Sequence, residues 1–218
     1  MRIVCVSDTH GYYDYANLPE GDVLVHAGDM TVWGKVDEVA RELDLISKTD
    51  FKHKVIIAGN HDFLAEDKPS LFNTMLPAGI HYLQDDSVIF EGLKFYGMPW
   101  VPGLPKWAFS NRRINWLEHI TAIPDDTDIL ITHCPSYGIL DFLSGGPGKY
   151  GYSSPQHLGS HHLGLRVDKL STKKLKAHIF GHIHDSHGIN IRNGVYRVNA
   201  AICDEMYKPT NLPEVIEV

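Results

Sequence analysis

Short apolar runs recur along the chain, and five of them stop at a polar cluster. Residues 2–6 form a β-branched run that ends at Ser7-Asp8-Thr9-His10-Gly11. A second run, 22–26, ends at Ala27-Gly28-Asp29, and a third, 54–57, ends at Ala58-Gly59-Asn60-His61-Asp62. A fourth, 128–132, runs into His133-Cys134-Pro135, and a fifth, 177–180, ends at Gly181-His182-Ile183-His184. Short continuous apolar runs bounded by turn residues predict buried strands. Between them the spacing becomes helical. Val36, Val39, Ala40, Leu43 and Ile46 share one face over 35–48, and further helices are expected at 71–76, 110–120 and 163–175. Short strands fit residues 81–84, 87–90 and 93–98, the last two joined at Gly92, and Asn193-Gly194 marks a hairpin within 188–201. Residues 144–161 are rich in Gly, Ser and Pro and predict one long loop.

Strand–helix alternation followed by local strand pairing predicts an α/β protein with at least one mixed sheet. A sandwich of two sheets flanked by helices fits this order. No linker separates two cores, so residues 1–218 are expected to form one domain.

Composition narrows the function. With 218 residues, 43% hydrophobic and 22% charged, the chain can bury a core without staples. Its net charge of −7 opposes binding to a nucleic-acid backbone. The three cysteines, Cys5, Cys134 and Cys203, lie far apart and form no CxxC pair, which argues against a disulfide framework. No run approaches about 18 apolar residues, and the N-terminus lacks a signal-peptide pattern. A cytoplasmic protein without membrane contact is therefore expected. Histidine is the residue in excess, at 14.

The polar clusters supply two carboxylates, Asp8 and Asp29, one amide, Asn60, and four imidazoles, His10, His133, His182 and His184. Ligands in open α/β sheets collect beyond the carboxyl ends of strands, so these segments can converge. Seven such side chains exceed one four-coordinate ion and suit two ions sharing a bridge. Mixed nitrogen and oxygen donors favour Mn, Fe, Zn, Co or Ni over Ca. Two metals roughly 3.5–4 Å apart clamp a phosphoryl group and make hydroxide available at neutral pH. Taken singly, Asp-x-His and Gly-Asp are ordinary turn chemistry. Gly-Asn-His-Asp and Gly-His-x-His after buried strands are more specific.

The ordered set Asp8-x-His10, Gly28-Asp29, Gly59-Asn60-His61-Asp62, Thr132-His133 and Gly181-His182-x-His184 resembles the calcineurin-like metallophosphoesterases. The segments 132–141 (Thr-His-Cys-Pro-Ser-Tyr-Gly-Ile-Leu-Asp) and 199–215 resemble a small-enzyme subgroup that includes the animal metallophosphoesterase-domain proteins. The resemblance implies a four-layer α/β/β/α sandwich of two mixed sheets flanked by helices, with a dinuclear site. It implies that Asp8, His10 and His184 hold one metal, that Asn60, His133 and His182 hold the second, and that Asp29 bridges them. It implies that His61 binds no metal but faces the substrate, stabilises phosphoryl charge and protonates the leaving oxygen. A metal-bridging hydroxide would attack phosphorus in line. The cofactors would be two divalent ions among Mn, Fe, Zn, Ni and Co, with Mn the first choice.

One departure matters. Many protein phosphatases of this family carry Gly-Asp-x-x-Asp-Arg-Gly, whose second Asp pairs with the catalytic His. Here the segment reads Gly28-Asp29-Met30-Thr31-Val32-Trp33-Gly34, without that Asp or the Arg. The expectation is therefore a phosphodiesterase on small substrates, nucleotides included, and the group that orients His61 stays open. A phosphomonoesterase and a non-catalytic scaffold of the same fold are the alternatives. A small phosphoester is the expected partner, without stable nucleic-acid binding.

Several residues carry balanced readings. His26 fits either a hydrogen bond to a ligand or a satisfied core position. His53, His81 and His119 read as surface, and Cys134 as packing. Trp33, Trp107 and Trp116 read as core or rim, and Trp100 as a candidate pocket wall. Lys149, Tyr150, Tyr152, His157, His161 and His162 fit either a solvated loop or a phosphate-closing one.

Overall fold

A computed structural model describes residues 1–110, 115–144 and 156–218. Its strands are β1 (Arg2–Val6), β2 (Val23–Ala27), β3 (His53–Ile57), β4 (Ile80–Tyr82), β5 (Asp86–Phe90), β6 (Leu93–Met98) and β7 (Ile129–Thr132). They continue with β8 (Phe142–Leu143), β9 (Gln156–His157), β10 (Ala177–Phe180), β11 (Gly188–Arg192), β12 (Val195–Asn199) and β13 (Glu214–Glu217). The helices are α1 (Val36–Ser47), α2 (Phe63–Asp67), α3 (Pro69–Met75), α4 (Trp116–Ala122) and α5 (His161–Ser171).

Two sheets form. One has the order β13-β1-β2-β3-β4 and the other β11-β12-β10-β7-β6-β5. The first is parallel except for β13, which pairs antiparallel with β1. The second is parallel through β12, β10, β7 and β6, with β11 and β5 antiparallel at its edges. Both are mixed, as the strand pattern predicts.

The period of two along each strand decides which layer a residue serves. Ile3, Cys5, Val25, Val55 and Ile57 face Phe95, Ile129, Ile131, Ile179 and Val198 between the sheets. The alternate residues Val4, Val6, Leu24 and Ile56 pack on Val39, Leu43 and Ile46 of α1. On the far side, Tyr96, Met98 and Leu130 pack on Leu163, Val167 and Leu170 of α5 and Ile120 of α4. The result is four layers, helix, sheet, sheet and helix. Strands buried on both faces explain the unbroken apolar runs.

Local chemistry sets the element ends. The Glu38 carboxylate accepts the Lys35 N–H (3.1 Å) and the Trp33 N–H (3.0 Å), which closes the start of α1. Asn193 and Gly194 both have positive φ, at 55° and 72°, as a tight β11–β12 turn requires. At the carboxyl edge the sheets are stitched together. Ser7 N–H donates to Ala200 O (2.8 Å), Ala200 N–H to Phe180 O (2.8 Å), and Gly181 N–H to His133 O (3.2 Å).

Three expectations need correction. Residues 144–161 are not one loop. Residues 156–157 pair with 142–143, and α5 already begins at His161 because Ser160 caps it through the Leu163 N–H (3.2 Å). The helix expected at 110–120 is seen from Trp116, and residues 111–114 lie outside the described residues, as do Lys149, Tyr150 and Tyr152. Strand β13 went unpredicted because its pairing with β1 is long-range. No helix among the described residues is long and apolar enough to cross a membrane.

Candidate metal centre

The predicted donors leave the carboxyl ends of β1, β2, β3, β7 and β10, and several do so in strained backbone. Asp8, His10, Asp29 and His182 have φ of 51°, 46°, 56° and 71°. Left-handed backbone costs a non-glycine residue on the order of 1 kcal/mol or more and clusters at functional sites. Here it is held by specific bonds. Asp8 N–H donates to Gly28 O (2.9 Å) and His10 N–H to Asp29 O (3.1 Å). His182 N–H donates to both Asp8 oxygens, at 3.1 and 3.0 Å. Two glycines allow the close approach. A Cβ at Gly59 would lie 2.3 Å from Asp29 Oδ1, and one at Gly181 would lie 2.0 Å from Asp8 Oδ2.

The side chains meet. His184 Nε2 is 3.3 Å from Asp8 Oδ1 and 3.4 Å from His10 Nε2. His133 Nε2 is 3.2 Å from both Asn60 Oδ1 and Asp29 Oδ2. Asp29 Oδ2 is also 3.9 Å from His10 Nε2 and 4.0 Å from His61 Nε2. The His182 ring lies 5.1 Å from that of His133. Three overlapping groups suit a cation: Asp8, His10 and His184; Asp8, Asp29 and His133; and His10, Asp29 and His61.

Backbone carbonyls fix the imidazoles. His10 Nδ1 donates to Thr31 O (3.1 Å), His61 Nδ1 to Val32 O (2.7 Å), His133 Nδ1 to Ala27 O (2.9 Å) and His184 Nδ1 to Asp204 O (3.0 Å). Each bond places the proton on Nδ1 and turns the Nε2 lone pair inward. The residues therefore fit a metal. The Nε2 lone pairs of His10 and His184 face each other across 3.4 Å, and that of His133 faces two oxygen acceptors at 3.2 Å. Acceptors so arranged repel unless a cation or a proton lies between them.

The electrostatics agree. Burial works against the charged forms of His133 and His184, yet Asp29 and Asp8 respectively push them up to about 9. Burial alone would raise the two carboxyls, but His184 holds Asp8, and His133 holds Asp29, below the usual carboxylate range. Burial lowers His10 to about 4 and His182 to about 3, so both are neutral donors at pH 7.

His61 is oriented by the Val32 carbonyl, and its own N–H donates to Asp29 Oδ1 (2.8 Å). A backbone acceptor carries no residue identity, so no sequence signal pointed to it. Asp62 points elsewhere. Its carboxylate accepts from Met30 N–H (3.3 Å), Thr31 N–H (3.0 Å), Thr31 Oγ1 (2.8 Å) and Gly59 N–H (2.9 Å), tying the Asp29 loop to the Asn60 loop.

His26 is a satisfied core residue that also links two donor loops. It accepts the Gly28 N–H (3.3 Å) and bonds Thr9 Oγ1 (3.0 Å). Trp100 is no pocket wall. Its indole N–H donates to Asp85 (2.7 Å), and it stacks on His119. His53 and His81 pack on Phe90. His157 bonds Asp141 (2.6 Å), and His161 stacks on Tyr137. Cys134 is buried.

Asp29, Asn60, His61, His182 and His184 open into a cleft of about 140 Å³. Leu104, Trp107, Leu143, Leu158, Ile183 and Tyr207 also line it. Tyr207, at φ 57°, sets its ring 4.7 Å from that of His10. The sequence carries no strong signal for Trp107 or Tyr207, since both lie outside the donor motifs.

This chain is similar to known proteins. The sequence model of the calcineurin-like phosphoesterases matches residues 1–186. The human metallophosphoesterase domain-containing protein 1 is 35% identical over all of this chain and 71% of its own length. A UPF0046 protein of Caenorhabditis elegans is 31% identical over 94% of this chain and 71% of its own. The crystal structure of TT1561 from Thermus thermophilus superposes with a TM-score of 0.59 at 13% identity, covering 91% of this chain and 88% of that one, and shows the same fold. With the motifs converging at one carboxyl edge and these relatives spanning the whole chain, this protein belongs to the calcineurin-like phosphoesterase family.

Proposed function

We propose that this chain hydrolyses small phosphodiesters, nucleotide diesters among them, with two divalent cations held by its clustered donors. Asp8, His10 and His184 would hold one cation, Asn60, His133 and His182 the other, with Asp29 shared. The observation that carries this reading is the position of Asp29 Oδ2, 3.2 Å from His133 Nε2 and 3.9 Å from His10 Nε2, between the two donor groups. When bound, the cations would draw charge from the phosphoryl oxygens and lower the pKa of an attacking water, with Mn the first choice over Fe, Zn, Ni and Co.

The chain's own residues supply the rest. His61 keeps Nδ1–H on the Val32 carbonyl, which leaves Nε2 as the atom that stabilises phosphoryl charge and delivers a proton to the leaving oxygen. Asp29 Oδ2 lies 4.0 Å from that Nε2. The apolar side chains lining the cleft suit the ester arms of a small diester.

The test uses metal-stripped protein resupplied with one divalent ion at a time. Bis-p-nitrophenyl phosphate and p-nitrophenyl phosphate are the two substrates. The expected result is metal-restored cleavage, faster on the diester. Faster monoester cleavage overturns the diester preference, and silence on both with ions bound overturns the enzyme reading in favour of a scaffold.

A further inference from the structure

Beside the donors lies an aromatic surface that phosphoryl chemistry does not require. Trp107 packs on the His61 ring, with centroids 4.4 Å apart. Trp33 stacks on Trp107 at 6.2 Å with planes only 9° apart. Trp33 is nevertheless 55% exposed, so core packing does not account for it.

The backbone that carries each indole is anchored by hydrogen bonds. Trp33 N–H donates to Glu38 (3.0 Å), Gly34 N–H to Thr31 Oγ1 (3.0 Å), and the intervening Val32 carbonyl is the acceptor that orients His61. Trp107 N–H donates to Leu104 O (3.0 Å), and the next residue, Ala108, donates its N–H to the Asn60 carbonyl (3.1 Å). The same backbone that aims His61 and carries Asn60 thus carries two stacked rings, Trp107 in the cleft lining and Trp33 against it. An exposed aromatic face fixed before binding loses little freedom when a second ring stacks on it.

We propose that Trp33 and Trp107 form a stacking platform for a planar aromatic ring on the ester arm nearest His61, with Trp33 the residue that reads that ring. The proposal rests on the phosphoesterase reading and deepens it. The ring belongs either to a simple aryl ester or to a nucleobase.

The test is calorimetric binding to the zinc-loaded full chain of three phosphonates whose P–C bond resists hydrolysis: methylphosphonate, phenylphosphonate and a nucleoside 5′-phosphonate. Stacking of a base on an aromatic side chain predicts that at least one ring-bearing ligand binds roughly 5- to 100-fold tighter than methylphosphonate. Tighter phenyl binding identifies an aryl arm, and tighter nucleoside binding a base. Trp33→Ala brings the ring-to-methyl ratio below about twofold, and Trp33→Phe restores most of it. Equal affinities in the parent protein, or a ratio that survives Trp33→Ala, overturn the platform alone when methylphosphonate binds. Failure of all three to bind the zinc-loaded protein overturns the phosphoesterase reading and the platform with it.

Discussion

Replacing Asp62 by Ala tests how the site is held together. The carboxylate is fully buried and accepts four hydrogen bonds, from Met30 N–H, Thr31 N–H, Thr31 Oγ1 and Gly59 N–H. Truncation leaves three backbone donors and a hydroxyl facing a small hole. A buried donor without a partner costs about 1–3 kcal/mol, which sets a ceiling near 10 kcal/mol if nothing relaxes. Two effects reduce it. The hydroxyl can rotate to another acceptor, and a water fits the hole left by the carboxyl. Burial and the neighbouring Asp29 also raise Asp62 to about 6, so the ionised group is itself held at a cost at pH 7. The expected loss is therefore about 2–4 kcal/mol, a large share of a typical 5–15 kcal/mol stability. Urea unfolding of the metal-free protein at pH 7 measures it. With a slope of about 2 kcal/mol/M, the midpoint falls by about 1–2 M at unchanged slope. Asp62→Asn keeps one acceptor oxygen and loses about half as much. A midpoint for Asp62→Ala within about 0.25 M of the parent refutes the claim that this carboxylate ties the two donor loops.

Other outcomes follow from the same geometry. His61→Ala retains two ions per chain by elemental analysis while turnover falls about 10²- to 10⁴-fold; loss of the ions shows that His61 is a ligand. Asp29→Ala binds fewer than two ions and loses activity, and full activity with both ions bound refutes its shared role. In metal-free protein, His133 and His184 titrate near 9, above the ordinary histidine value. Their contribution is complete below about pH 6.5 and is lost as pH rises through 9, so Tm falls over that window, and a bound divalent cation flattens it. Below about pH 6.5 the neutral, buried His26 and His182, both lowered to about 3 by burial, reverse the slope. A Tm independent of pH between 7 and 9 without metal refutes the paired assignment. Gly181→Ala forces a Cβ to within 2.0 Å of Asp8 Oδ2 and weakens metal affinity more than tenfold by competition with a chelator, with the circular dichroism spectrum retained.

The sequence by itself marked the buried strands and the polar clusters that end them. Fully buried strands must be continuously apolar, so β1, β7 and β10 could be read almost residue by residue. Each polar cluster follows such a run directly, because a strand ends where the chain needs ligand-type side chains and glycines that let backbones meet. Asp8, His10, Asp29, Asn60 and the histidines at 133, 182 and 184 stand out as candidates for that reason. Only the tertiary structure decided what holds them. The acceptors that orient four imidazoles are the carbonyls of Ala27, Thr31, Val32 and Asp204, and a peptide carbonyl is the same whatever its side chain. Asp62 sits next to His61 in sequence, yet it braces two loops, because its direction depends on donors about 30 residues away. Strand β13 and the β8–β9 pair are too short or too mixed in pattern to signal themselves, and they exist through partners distant in sequence. Trp107 and Tyr207 in the cleft lining, and Trp33 stacked on Trp107, come from three separate loops that only the closed fold brings together.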